Sequence, residues 1–397
     1  MYVNVAILKE TQPGERRVAL VPSVALKLQK LGAKLHMERG AGAATHLDAA
    51  AFEDVVFTDD RKALVSAADV VLAVGPPALE VVEAMNEGAV LVSFIYAHNN
   101  PALVQRLLAK KITCFAMDRV PRTTRAQAMD ALSSQSALAG YQAVLLGATH
   151  LGRILPKLTT AAGAIGPATV LILGLGVAGL EAIATAHRLG AVVVGYDVRP
   201  ETREQALSLG ATFVDTGVDA TVKGGYAREL TAEEKTRVEA ALTAHIEKAD
   251  LIITTASVPG RSAPKLITKA QVRRMKRGSV IVDLSAEGGG NCEDTTPGDT
   301  TEVGQVTIVA PLHVPSRTAS DASELYSRNQ YNLLSLILKE NVIQIDWTDE
   351  VLAGTALTHA GSLMGDAEKE KAPVGPGDPK KPPIAHTRKA SATRSPP

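Results

Sequence analysis

The stretch ATVLILGLGVAGLEAIATAHRLGAVVVGYD, residues 168 to 197, decides the fold. An apolar run ends in Gly174, Gly176 and Gly179, a helical pattern follows, and a second apolar run closes on Asp197. Strand, glycine turn, helix, strand and terminal acid stand in the order and spacing of a dinucleotide-binding unit. A glycine triplet alone is weak; the flanking strands and the acid make the pattern specific. Gly174 makes the tight turn, Gly176 lets a pyrophosphate approach the backbone, and Gly179 permits close packing of helix on strand. The helix N-terminus, through Val177 and Ala178, offers unpaired N–H groups to the anion. Asp197, flanked by Val198 and Arg199, is expected to accept hydrogen bonds from the adenosine ribose, charge-assisted and worth about 1.5–3 kcal/mol. A 2′-phosphate beside Asp197 meets like-charge repulsion, so the motif predicts NAD(H) and not NADP(H). Arg199 reads as a solvated or adenine-stacking side chain.

Outward from this unit, apolar runs alternate with helical segments in two series. The first has strands expected at 3–9, 33–39, 69–74, 89–96 and 112–118; the second at 168–174, 191–197, 211–215, 250–256, 279–285 and 306–310. The fold class expected is α/β, with two Rossmann-like doubly wound parallel-sheet domains and a cleft between them. The first domain is assigned to 1–131 plus a returning segment at 320–365, and the dinucleotide domain to 132–319. Ser23 is expected to cap a helix that Gly32 ends. The pattern Leu-Gly-Ala before a strand recurs at Leu31, Leu189 and Leu209, marking glycine helix ends. Between the series, Leu138, Tyr141, Val144, Leu145 and Ala148 mark the apolar face of a domain-crossing helix over 132–150. From Asp366 onward, seven prolines and seven Lys or Arg residues read as a disordered tail.

The chain has 397 residues, 46% of them hydrophobic, enough for two cores. Lys+Arg and Asp+Glu both number 42, so no global field draws nucleic acid or an anionic membrane. Cys114 and Cys292 are the only cysteines and lack metal-ligand spacing, which predicts a reducing compartment and no metal site. The charged start at Lys9 and Glu10 interrupts any signal-peptide core, so the chain is expected to be cytoplasmic. Two uncharged stretches, 131–152 and 158–180, carry polar or Gly/Pro breaks and read as buried elements of a soluble fold.

A dehydrogenase that oxidises an alcohol or amine needs an acid or base beside the hydride site, and His98 is the best-placed candidate. The segment RTTRAQAMDALSSQS, 122 to 136, is open to two readings: a solvated connector, or a polar cluster that holds something. Together with ETQPGERRVAL, GGYAREL, GSVIVDLSAEGGGN and HVPSRTASDAS, it resembles the NAD(H)-binding, membrane-extrinsic domain of the proton-translocating nicotinamide nucleotide transhydrogenase family. The likeness runs from about residue 3 to 360. Alanine dehydrogenase shares the fold and several motifs.

The resemblance implies that NADH bound here passes a hydride to NADP⁺ at the NADP(H) site of a partner beta subunit. It also implies coupling to proton movement through membrane components that include a small membrane subunit. Such a transfer moves no substrate proton and requires no catalytic base; it requires two rings in near-attack geometry. By the same resemblance Arg122, Gln127, Asp130 and Ser133 surround the nicotinamide, and Tyr226 sits on a loop, 216–232, that closes over the nucleotide. It further implies a homodimer, peripheral on the cytoplasmic face of the bacterial inner membrane, and a split enzyme of which this is the soluble first piece. Alanine dehydrogenases carry a lysine where this chain has AVGPP at 73–77, while His98 keeps a dehydrogenase-like YxH context. An alanine-type dehydrogenase and an NAD-sensing module therefore stand as the alternatives.

Overall fold

Segments such as VVL (70–72), LIIT (251–254) and VIVD (280–283) are buried at every position, because a parallel sheet covered on both faces leaves neither side of a strand in water. In a computed structural model that describes residues 2–221, 228, 230–257 and 262–365, these strands form two large sheets. The expected tail at 366–397 and Tyr226 lie outside the described residues.

The first sheet has eight strands in the order Ser362–Leu363, Ala356–His359, Thr113–Ala116, Val90–Ser93, Val70–Leu72, Val3–Ile7, Ala33–Glu38, Val55–Thr58. Its six N-terminal strands are parallel and follow the doubly wound order 3-2-1-4-5-6. The second sheet repeats that order with Thr212–Phe213, Val192–Tyr196, Thr169–Leu173, Leu251–Thr254, Val280–Asp283 and Val306–Val309, then adds an antiparallel edge at Thr300–Val303. The α/β reading with two Rossmann-like sheets is thus what the chain adopts. Each sheet has apolar clusters on both faces, with Val170 and Ile172 on one and Leu171 and Leu173 on the other.

Several strands escape the sequence pattern. Val55–Thr58 is short and only half buried, and the pair at 356–363 joins the first sheet antiparallel, far along the chain from its neighbour Thr113–Ala116. The Leu-Gly-Ala junctions are as expected: Gly32, Gly190 and Gly210 all have positive φ between a helix and a strand. Ser23 does not cap its helix. Val21 is the N-cap, Pro22 starts the first turn, and the Ser23 hydroxyl donates to Glu324. Residues 158–165, expected to be buried, form an exposed hairpin, with Leu158 44% and Ile165 51% accessible.

The domain-crossing helix spans Ala131–His150, but its packed face is not the predicted one. Tyr141 is exposed, and the buried side runs through Gln135, Gly140, Ala143, Val144 and Gly147. Small residues win because the neighbours come so close: a Cβ on Gly140 would lie 2.1 Å from the carbonyl oxygen of Ala178, and one on Gly147 would lie 2.4 Å from Leu251. The bulkier Leu138 and Tyr141 are left on the outer side. Among the described residues no helix is long and apolar enough to cross a membrane.

Because the Gly140 contact is with backbone, it cannot yield by a rotamer change. Gly140→Ala is expected to lower stability by about 1–3 kcal/mol despite the better helix propensity of alanine. A urea titration measures this, and an unchanged midpoint would mean the two helices separate freely.

Candidate functional site

Two of the three glycines in the turn are demanded by the chain itself. Gly174 has φ 95°, and its Cβ would lie 2.9 Å from the Ala256 nitrogen; a Cβ on Gly179 would lie 1.9 Å from the Gly174 carbonyl oxygen. Gly176 is different. Its φ of −76° suits any residue, and a Cβ there would meet nothing within 4 Å. Neither strain nor internal packing accounts for the glycine, whereas a ligand pressed against the backbone does. The helix Val177–Arg188 starts at Gly176 with no side chain capping its N-terminal N–H groups, so Val177 and Ala178 present donors to the same open space. The residues present fit a bound pyrophosphate.

Asp197 ends the second strand of the unit and reaches back to the turn, where its carboxylate accepts from the Leu175 N–H at 2.7 Å. Arg199 is neither solvated nor free for stacking, as the sequence suggested. Its Nε and Nη2 hold Asp197 at 2.9 and 2.8 Å, and its own N–H adds a third bond at 2.9 Å. Two residues of spacing in an irregular segment place a fork directly over the carboxylate, which periodicity cannot reveal. Val198 packs against the second sheet's core.

The polar segment ahead of the crossing helix forms a 3-10 turn, Thr124–Met129. Asp130 caps the helix, accepting from the Ser133 N–H at 2.9 Å and the Ser133 hydroxyl at 2.6 Å. Ser133 and Gly140 are seven residues apart, two turns of one helix, so Ser133 lies on the face that meets the glycine turn. Arg122 and Gln127 are exposed. The turn is pinned from behind by residues the sequence pattern does not single out. Arg125 pairs with Asp349, and the Ala128 carbonyl accepts from both Asn329 and Asn332 at 2.9 and 2.8 Å. These partners lie more than 200 residues away, on the helix Ala319–Ile337 and beyond it.

Between the sheets lies a cleft of about 350 Å³. Its floor on the first-domain side is the point where strand order reverses: Glu10 follows the strand Val3–Ile7, and Gly75 follows Val70–Leu72. The cleft is rich in acid, lined by Glu10, Glu15 and Glu287, and Arg17 is the single Lys or Arg among its described lining residues. That guanidinium is fully engaged, by Glu15 at 2.6 and 2.8 Å and by Gln135 at 2.9 Å. Burial by itself would raise the Glu15 carboxyl, but the Arg17 hydrogen bonds and charge hold it down at about 2. Glu10 goes the other way: burial, against hydrogen bonds from the Val74 and Gly75 N–H groups, pushes it up to about 7. His98 is exposed, and the cleft is reached instead by Tyr96, Asn99 and Asn100. Among the described residues no group of His, Cys, Asp and Glu could hold a metal.

Two family models cover nearly all of the chain: "Alanine dehydrogenase/PNT, N-terminal domain" matches residues 6–139 and "Alanine dehydrogenase/PNT, C-terminal domain" matches 143–366. The chain belongs to the alanine dehydrogenase/PNT family. Within it, the chain is 42% identical over 378 residues to a split NAD(P) transhydrogenase subunit alpha, its first piece, from Rhodospirillum rubrum, covering 92% of this chain and 98% of that one. The solved structure of transhydrogenase from Sinorhizobium meliloti superposes with TM-score 0.79 at 40% identity, over 91% of this chain and 98% of its own. Alanine dehydrogenase of Mycolicibacterium smegmatis is 27% identical over 91% of this chain and 95% of its own. The transhydrogenase resemblance read from the motifs is therefore the family relationship these comparisons find.

Family membership does not explain why Glu15 and Arg17 are buried together, and the sequence signal for them is faint: a charged pair just ahead of the apolar run VALV. The pair has a measurable signature. Glu15 contributes stability that is fully present above its ordinary pKa near 4.5 and is lost as pH falls toward about 2. Glu15→Gln leaves a buried cation uncompensated and is expected to cost about 3–5 kcal/mol at pH 7, the loss shrinking in acid. Guanidinium midpoints measured between pH 7 and pH 3 test this, and a pH-independent difference would exclude the ion pair as its source.

Proposed function

We propose that this chain is the NAD(H)-binding component of a proton-translocating transhydrogenase. NADH bound at the glycine turn supplies the hydride, and NADP⁺ on a partner beta subunit receives it. Arg122, Gln127, Asp130 and Ser133 surround the nicotinamide, with Gln127 touching the ring as the second nucleotide arrives. Tyr226, outside the described residues, belongs to the closing loop on this reading. The transfer needs position and exclusion of water, not a base. The Thr124–Met129 turn suits that task because it exposes Gln127 on a backbone clamped by Asn329, Asn332 and Asp349.

The observation that carries this reading against an alanine-type dehydrogenase is the state of Arg17. A 2-oxo acid in the cleft would need a cation for its carboxylate, yet the one guanidinium there is consumed by Glu15 and Gln135. At the AVGPP segment Gly75 faces Glu10, an acid. An unpaired carboxylate in such a place is costly. A sensing module would not call for the clamped polar turn.

The assembly belongs to the same proposal. A second copy of the chain completes a homodimer, for which the exposed Leu158 and Ile165 of the hairpin and Tyr141 of the crossing helix supply apolar contact surface. The beta subunit and a small membrane subunit hold the dimer on the cytoplasmic side of the inner membrane and carry the proton path.

The test is reconstitution. The purified chain mixed with a heterologous NADP(H)-binding domain should transfer hydride from NADH to an NADP⁺ analogue, and neither component should do so alone. NADH oxidation by the chain alone with pyruvate and ammonia would overturn the reading. Gln127→Asn should slow single-turnover transfer about tenfold or more with the NADH Kd nearly unchanged, since it removes positioning and not uniform binding. A large loss of affinity would assign Gln127 another role.

A further inference from the structure

We propose that Arg199 sets the nucleotide preference of this site by competing with the adenosine ribose for Asp197. This rests on the reading of Asp197 as the ribose acceptor and adds what that reading lacks, an account of what the carboxylate does before the nucleotide arrives.

A carboxylate offers about four acceptor positions. On Asp197 four donors hold them: the Leu175 N–H at 2.7 Å, the Arg199 N–H at 2.9 Å, and the Arg199 Nε and Nη2 at 2.9 and 2.8 Å. The four are not equivalent. The two backbone donors are built into the glycine turn and the segment after the strand, so they cannot leave without unmaking the site. The two side-chain donors can leave by rotation about the arginine's own bonds. A ribose cis-diol brings two hydroxyl donors, and the two positions held by the fork are the ones it can take. Exposure agrees with that division, because the Asp197 side chain is 7% accessible and the Arg199 side chain 19%, the arginine lying outermost.

The exchange has opposite consequences for the two nucleotides. For NADH, the diol must displace a bidentate charge-assisted pair, so part of the ribose interaction is spent on release of the guanidinium. For NADPH, the same guanidinium is a cation within reach of the 2′-phosphate, and while it is paired it cancels the charge by which Asp197 repels that phosphate. Arg199 therefore weakens the wanted nucleotide and softens rejection of the unwanted one. In an enzyme that must release NAD⁺ and take up NADH at each turnover, a ribose site filled by its own arginine gives the leaving nucleotide a ready replacement.

Equilibrium dialysis of NADH, NADPH and NMNH, which lacks the adenosine half, against the full chain tests this. Arg199→Ala should bind NADH about three- to tenfold tighter and raise the NADH over NADPH preference about tenfold, while NMNH affinity stays unchanged. Arg199→Lys should fall between, since an ammonium makes a point contact and not a fork. Arg199→Met keeps the stem's packing and should behave as the alanine variant does, which guards against a loss of folding. Weaker NADH binding in the alanine and methionine variants, or an unchanged preference, overturns the proposal and makes Arg199 part of the nucleotide site itself. The ribose reading fails separately: Asp197→Ala should weaken NADH and leave NMNH alone, and an NADH affinity unchanged by it removes Asp197 from the ribose site whatever Arg199 does.

Discussion

The relative placement of the two sheets depends on one buried cation. Arg17, 8% exposed, leaves the N-terminal segment to meet Glu15 and the Gln135 amide, and Gln135 in turn donates to the Ala322 carbonyl of the return helix. The Ser316 hydroxyl joins the same carboxylate at 2.6 Å. Stripping a guanidinium of water is expensive, and the network recovers that cost only when all of its members are present. It therefore fixes four stretches of chain at one point: the N-terminal segment, the crossing helix, the approach to the return helix, and the return helix itself. The last is stitched further along its length, where Ser323 and Ser327 accept from the Val18 and Val21 N–H groups.

A chemical consequence comes with that architecture. Using Arg17 to join segments withdraws it from the cleft, and what remains there is acidic. The same long helix that receives Arg17 through Gln135 carries Asp130 and Ser133 at its start and lies against the glycine turn at Gly140. One element thus sets the distance between the nucleotide turn and the polar turn, and its contact face is made of glycine and alanine so that the distance can be short. The clamps on Ala128 and Arg125 then leave Gln127 little freedom relative to that frame.

Much of this is legible along the chain, for identifiable reasons. Parallel strands announce themselves as continuous apolar runs, and glycine helix ends by a fixed neighbour pattern, so the sheet strands and the Leu-Gly-Ala junctions follow from short windows. Local rules fail where a contact partner changes their meaning. The crossing helix looks as though it should bury its largest residues, but close backbone approach favours Gly140 and Gly147 over Tyr141. Ser23 looks like a cap and instead serves Glu324, 301 residues away. The uncharged stretch around Leu158 looks like core and is an exposed hairpin.

By itself the sequence determined the elements that carry their own cause: the strand runs, the glycine turn with its terminal acid, and the polar stretch whose motif marks the family. Each rests on local backbone geometry or on side chains close in the chain, so a short window contains the physics. Only the tertiary structure decided that Arg17 is spent within the fold, that Arg199 covers Asp197, and that Asn329, Asn332 and Asp349 hold the turn bearing Gln127. Those are choices among several possible hydrogen-bond partners for one side chain. They are settled by which groups folding brings within about 3 Å after water has been removed, and no pattern along the chain encodes that.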